Sequence, residues 1–313
     1  MNVFAITEGG EKVMLPQPVS LCINCEIDVP ADDITITFAM NSIPPLAFLT
    51  VTENGSNIFM GIVDEQEKTI GADGTLIKIT GRSMAALLLD NEAKPTNYTN
   101  LSDEVLFYNH IEPYGLTGFL GDDASYIGNM SIDKGVTQWQ VVEDYCGKKY
   151  NTVPRINEEG IAVLNGSISQ KKLLFSNTVK RGMPYVSCKI KTKRHSMLSH
   201  IYVRTSPADG YTTTLINTTA VKKGVMRRRY LNVADMKGRT LDIGDKMIEK
   251  SNQGNLTVTL CCPCGVLGCL GAMATVDDIA VENGSQLTIS KVRYVLSSQG
   301  QYTYLTLKEV LCG

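Results

Sequence analysis

Period-two alternation of apolar and polar side chains dominates the start of the chain. In Asp33–Ala39, Ile34, Ile36 and Phe38 alternate with Thr35, Thr37 and Ala39, which predicts a strand with one buried and one wet face. Ser20–Val29 reads the same way, and Pro, Gly and Asn cluster between such segments. Two extended apolar segments flank the polar turn Gly71–Gly74. The second, Leu76–Thr80, sets Ile77 and Ile79 opposite Leu76, Lys78 and Thr80. It stops at Gly81 and passes through Gly81-Arg82-Ser83 into a short helix over Ser83–Leu89, with Ser83 as the N-cap. Four or five such strands suffice for a small barrel or sandwich over residues 1–83.

From about Met84 to Gly166 the period changes. Ser102-Asp103-Glu104-Val105 opens a helix with acidic residues in its first turn, where they complement the helix dipole. Thr137-Gln138-Trp139-Gln140 has the T-x-x-Q form of a capping box. Trp139, Val142, Tyr145 and Cys146 then fall on one buried stripe, so the single Trp reads as a core anchor. Strand character returns at Pro184–Lys193. A helix follows over Leu241–Ser251, and alternation resumes at Leu256–Leu260, Gln286–Val295 and Tyr302–Leu307. The pattern predicts a mainly β, α+β fold with four parts. These are a β-barrel over 1–83, a helical or mixed insert over 84–170, a second barrel from 171–195 plus 240–313, and a small β insertion over 196–239.

Composition narrows the class. The 313 residues are 43% hydrophobic and 20% charged with a net charge of −2, an ordinary globular balance with no global field for nucleic acid or an anionic membrane. No apolar run reaches the roughly 18 residues a membrane helix needs. The start, MNVFAITEGGEKV, lacks the basic and apolar regions of a signal peptide, so cytosolic synthesis and reduced thiols are expected for the nine cysteines.

Candidate chemistry is sparse. Cys261, Cys262, Cys264 and Cys269 offer thiolates at short spacing for zinc or an iron–sulfur cluster, with Cys22 and Cys25 as a second half-site. Against this, nothing like CxxC…CxxC occurs, and Cys261 and Cys262 face opposite ways on a continuing strand. A Cys188–His195 nucleophilic pair has no supporting signature. His110, His195 and His200 read as solvated surface histidines. The pairs Asp122-Asp123, Glu143-Asp144 and Asp277-Asp278 suit glycoside hydrolysis by residue type, but adjacent acids usually mark turns or helix faces. The basic run Lys222-Lys223 to Arg227-Arg228-Arg229, with Lys191, Lys193, Arg194 and Arg204, is the main charge asymmetry. It suits nucleic acid or an acidic protein neighbour. Only Tyr230 interleaves it with an aromatic, and the surroundings read as acidic enough to balance it. Arg82 reads as pairing with a local carboxylate or capping the helix region.

Several segments in order carry a resemblance. They are Phe59-Met-Gly61-Ile-Val63, Gly81-Arg82-Ser83, Leu87-Leu-Leu-Asp90-Asn-Glu-Ala-Lys-Pro95, Pro113-Tyr114-Gly115, and Gly135-Val-Thr-Gln-Trp139 through Tyr145-Cys146. Arg227-Arg-Arg-Tyr230-Leu231 and Gly254-Asn-Leu256-Thr-Val258 follow. Together they resemble the baseplate hub proteins of contractile phage tails and phage-tail-like bacteriocins. The resemblance implies two tube-like barrels per subunit and a homotrimer that adapts a hexameric tail tube to a trimeric spike and lines a central channel. It implies as partners the tail tube or a tube initiator, the spike, the tape-measure protein and other baseplate proteins. DNA would be at most a transient passenger, and no membrane would be contacted in the resting particle. The subunit would sit in the baseplate of a particle assembled in the bacterial cytoplasm. No catalytic, cofactor-binding or metal residue is implied, and the cysteine cluster departs from a family place usually occupied by a Gly/Pro-rich loop. A cell-wall-directed carbohydrate-binding or hydrolytic tail protein is the competing reading, and a zinc-dependent module around Cys261–Cys269 is a third.

Overall fold

The computed structural model describes residues 1–167, 169–204, 208, 210–232, 240–266, 268–277 and 287–309. They form a mainly β, α+β fold that divides into two compact units. The first comprises Met1–Lys171, Cys262–Ala272 and Ser290–Tyr304, and the second Lys172–Cys261, Met273–Ile289 and Leu305–Gly313.

The first unit opens with β1 (Asn2–Thr7), β2 (Lys12–Leu15), β3 (Ser20–Glu26), β4 (Asp33–Ala39), β5 (Leu46–Glu53), β6 (Ser56–Gly71) and β7 (Gly74–Ser83). They lie side by side in the order β3-β4-β7-β6-β5-β1-β2, each pair antiparallel. Strand β20 (Leu287–Ser297), from near the end of the chain, lays Lys291–Leu296 beside β3. The alternation read from the sequence is the inside–outside pattern found here. Ile34, Ile36, Phe38, Ile77 and Ile79 are buried and join Val3, Leu21, Leu49 and Phe59 in one core. Each such side chain contributes roughly 1.5–3 kcal/mol by leaving water.

The helix after β7 is α1 (Ala85–Asp90), which starts later than the sequence pattern suggests, and Ser83 is not its cap. The β4–β7 ladder runs on to Asp33 and Arg82, so the next residues along, Asp32 and Ser83, meet. The Asp32 amide donates to Ser83 Oγ at 3.0 Å, and the Ser83 amide donates to the Asp32 carbonyl at 2.8 Å. The hydroxyl is thus committed to a neighbouring strand end, and Met84 starts the helix without a side-chain cap.

The mixed segment that follows contains β8 (Thr96–Thr99), α2 (Asp103–His110), β9 (Gly118–Leu120), β10 (Asn129–Ile132), α3 (Gln138–Lys149), β11 (Arg155–Ile156) and β12 (Ile161–Val163). Ser102 caps α2 through Val105 N, and Thr137 with Gln140 forms the expected capping box of α3. Trp139, Val142, Tyr145 and Cys146 all face a single core shared with Leu88, Leu106 and Ile111.

In the second unit β13 (Lys172–Phe175) runs parallel to β19 (Met273–Val276), and β14 (Ser187–Thr192) pairs antiparallel with β18 (Leu256–Cys262). A separate sheet has the order β16 (Thr213–Ile216), β15 (His200–Arg204), β17 (Arg228–Asn232), with α4 (Thr218–Lys222) between β16 and β17. Helix α5 (Thr240–Gln253) lays Ile243, Met247 and Ile248 against Ile201, Val203, Leu215 and Leu231 on one face of this sheet. Gly244 permits that approach, since a Cβ there would lie 2.3 Å from Leu215 Cδ1. The last strand is β21 (Gly300–Glu309). Among the described residues no helix is long and apolar enough to cross a membrane.

Candidate assembly surfaces

The Gly-Arg-Ser segment fixes the base of a long β6–β7 hairpin. Gly61 stands opposite Ser83 and Val63 opposite Gly81, with a bulge at Asp64. A Cβ on Gly61 would lie 2.1 Å from the Arg82 carbonyl oxygen, and one on Gly81 2.2 Å from that of Ile62, so neither place admits a side chain without moving backbone. The bulge turns the Asp64 carboxylate onto Arg82, which donates Nε and Nη2 to it at 2.8 Å each. The same guanidinium donates to Asp90 at the end of α1, at 3.1 and 2.8 Å. Hydrogen bonds from Arg82 hold the Asp90 carboxyl below the usual carboxylate range. Arg82 therefore does what its sequence context suggests, pairing with local carboxylates, and it rivets strand, bulge and helix together.

Beyond the bulge β6 becomes an edge. Its ladder with β5 stops at Ile62 opposite Phe48, and among the described residues no strand lies beside Glu67–Gly71 on that side. The Gln66 amide takes over the first empty places, accepting from Leu46 N and donating to the Pro44 carbonyl. Glu65, Glu67 and Lys68 guard the rest, as charged side chains do on edges that must avoid indiscriminate pairing.

The second face of β2-β1-β5-β6 is also apolar; Phe48 and Met60 on it pack against the core of the mixed segment, while Phe4 and Met14 stay exposed. Register aligns Met14, Phe4, Thr50 and Met60 in one row and Lys12, Ile6, Phe48 and Ile62 in the next. Between them runs an open groove of about 660 Å³. Met14 is 64% and Phe4 41% exposed, and β2 ends the sheet order of this unit. The sequence signal was available in the near-continuous runs Val3-Phe4-Ala5-Ile6 and Val13-Met14-Leu15, which suit strands covered on both faces.

The other sequence candidates disperse. Cys262 and Cys269 are buried, Cys261 partly so and Cys264 exposed, and none of the eight described cysteines is in a disulfide; Cys312 lies outside the described residues. Cys269 Sγ lies 3.2 Å from the Val266 carbonyl, and burial pushes its thiol up to about 12. Cys25 and Cys269 line a small cavity of about 90 Å³ beside the Asp32–Arg155 ion pair. Burial, followed by the Asp32 charge, also raises Cys25, so neither thiol is a ready thiolate. Among the described residues no group of three His, Cys, Asp or Glu is placed to hold a metal. Cys188 lies opposite Leu260 on β14, whereas His195 is exposed in the turn before β15.

His110 is a correction: it is 3% exposed, with Nδ1 2.7 Å from Gln138 Oε1 and Nε2 3.0 Å from the Tyr98 hydroxyl. His200 also lies partly buried rather than solvated, on a sheet face among tyrosines. Asp122 pairs with Lys149 at 2.6 Å, and Lys149 in turn reaches buried Asp103 at 2.7 Å. Asp144 pairs with Lys148 one turn along α3. Asp278 lies outside the described residues.

No family model matches the sequence, and no curated protein is found similar to it. Solved structures do share its fold. A tail protein from Neisseria meningitidis MC58 superposes with a TM-score of 0.78 at 18% identity, over 98% of this chain and 96% of that one. The 43 kDa tail protein of prophage MuSo2 from Shewanella oneidensis gives 0.75 at 13% identity, over 98% of each chain. The E. coli c3393 protein, a type VI secretion component described as similar to T4 tail proteins gp27 and gp5, gives 0.57 at 8% identity over 94% of this chain and 74% of that one. The chain thus has the fold of phage tail proteins along nearly its whole length.

Proposed function

We propose that the chain is the structural hub of a contractile baseplate. Three copies close into a ring of six tube-like barrels that joins a hexameric tail tube to a trimeric spike, lines the channel and performs no catalysis. The observation that supports this reading is the two-way, nearly complete coverage by tail proteins. The exposed side chains Phe4 and Met14 and the outer edge of Glu67–Gly71, which carries no partner strand among the described residues, suit such work. A permanent trimer buries well beyond about 2,000 Å² and is more apolar than a transient contact, while a free strand edge supplies directional hydrogen bonds to a neighbour. The tube or its initiator, the spike and the tape-measure protein are the partners, and the site of action is the baseplate of a particle assembled in the bacterial cytoplasm. Light scattering on the purified full-length chain tests the closure: a mass of three chains is expected. A single-chain mass together with turnover of peptidoglycan would replace the hub by a cell-wall enzyme.

A further inference from the structure

The second unit carries a surface that the assembly reading leaves unused. The sheet β16-β15-β17 is covered by α5 on one face only. On the other face the parallel register of β15 and β17 sets His200 beside Arg228 and Tyr202 beside Tyr230. The rings meet: Tyr202 and Tyr230 are near-parallel at 5.1 Å between centroids, His200 and Tyr202 at 6.2 Å, and Tyr211 abuts Tyr230 edge-on at 5.0 Å. Tyr230 stays 58% and Tyr211 40% exposed. Along the sequence the basic run holds one aromatic, Tyr230, whereas folding collects four rings.

The stretch of sequence that builds this face is basic. Between Val186 and Asn232 the sequence has ten Lys and Arg against a single acidic residue, Asp209, so the local balance is strongly positive rather than neutral. Two of these side chains serve the fold, since Arg194 donates to the Lys223 carbonyl and Arg227 to those of His195 and Ser196. Lys222, Lys223, Arg228 and Arg229 are exposed and form no ion pair among the described residues. α4 runs from the Ile216 end of β16 toward the Arg228 end of β17, so Lys222 at its end and Lys223 just after it stand at the same end of the sheet as Arg228.

We propose that this face binds single-stranded nucleic acid, with bases packing on the Tyr202–Tyr230 row and phosphates held by Arg228, Lys222 and Lys223. A polyanion is what such a charge imbalance attracts, and exposed aromatic rings add base stacking that tolerates any sequence. A duplex gains nothing from the rings because its bases are already stacked on one another. An acidic protein would use the cations and leave the rings without a specific role.

The test uses the full-length chain and a fluorescent oligothymidylate of about twenty nucleotides, followed by anisotropy over a salt series. Expected is binding that weakens steeply with salt and exceeds binding to a duplex of equal length. Tyr230→Ala is expected to lose about tenfold in affinity and Tyr230→Phe to keep it, while Arg228→Gln lowers the salt slope by about one. Tyr230 is exposed, so its truncation spares the core; unchanged circular dichroism and Tm verify this for each variant. Absence of binding, equal binding of duplex, an inert Tyr230→Ala, or competition by polyglutamate as effective as by unlabelled oligothymidylate would each overturn the proposal. The last outcome would assign the face to an acidic protein.

Discussion

Arg155 closes on Asp32 across 123 residues of sequence, with Nη2 2.7 and 2.6 Å from the two carboxylate oxygens. Both side chains are nearly buried, and Asp32 is itself tied through its backbone to Ser83. Removing one member strands the other charge away from water, which costs about 3–5 kcal/mol, far more than the pair adds over an apolar substitute. Arg155→Met is therefore expected to lower the urea midpoint sharply. Arg155→Met with Asp32→Asn should recover part of the loss, because the orphaned charge is gone. If the double variant is as unstable as the sum of the singles, the ion pair is not the source of the effect.

Gly61 and Gly81 predict a second loss of stability. A methyl at either position meets a carbonyl oxygen of the partner strand rather than a yielding side chain. Strands β6 and β7 must separate or twist to admit it, at about 1–3 kcal/mol each. Gly61→Ala and Gly81→Ala should both lower Tm, whereas Gly71→Ala at the hairpin end, where only the Gly74 carbonyl lies at 3.9 Å, should not. Equal effects at all three positions would mean that backbone entropy rather than close approach sets the cost.

What could be read in the sequence follows from how local its cause is. Ile34, Ile36 and Phe38 declare their face by alternation, and Thr137 with Gln140 declares a cap three residues wide, so both elements stand where the pattern puts them. Ser83 looked like a cap because nothing nearby shows that Asp32 will claim its hydroxyl. His110 looked solvated because its two partners, Tyr98 and Gln138, lie 12 and 28 residues away. Tyr202 and Tyr230 meet only because β15 and β17 pair in parallel with α4 between them, and no short-range pattern encodes a parallel crossover. The misread positions are those whose meaning is set by an element distant in sequence.

His110 predicts a pH dependence. Burial lowers its pKa below the ordinary value, and the Gln138 hydrogen bond opposes this only in part. The unfolded chain therefore binds a proton near pH ~6.5 that the folded chain refuses. Stability from this group is fully present above that pH and is lost as pH falls toward the depressed folded pKa. Wild type should lose Tm between about pH 7 and pH 5.5 more steeply than His110→Gln. Parallel curves would show that His110 ionises alike in both states.

The apolar rows of β2, β1, β5 and β6 predict a separation of folding from assembly. Met14 and Phe4 project from the second face and are 64% and 41% exposed, so replacing them withdraws little from the core of the subunit. Buried against a neighbour they would be interface anchors, since large apolar and Met side chains dominate such contacts while Lys is depleted from them. The variant Met14→Lys with Phe4→Lys is thus expected to keep the wild-type circular dichroism and Tm of the subunit and to run as a single chain in light scattering, where the proposed hub predicts three chains for wild type. Two lysines facing a partner's apolar surface would be desolvated without counter-charges, which explains why a pair of surface changes would dissolve a large contact. A trimer that survives the double substitution would move the interface elsewhere and leave the exposed phenylalanine and methionine without a role in closure.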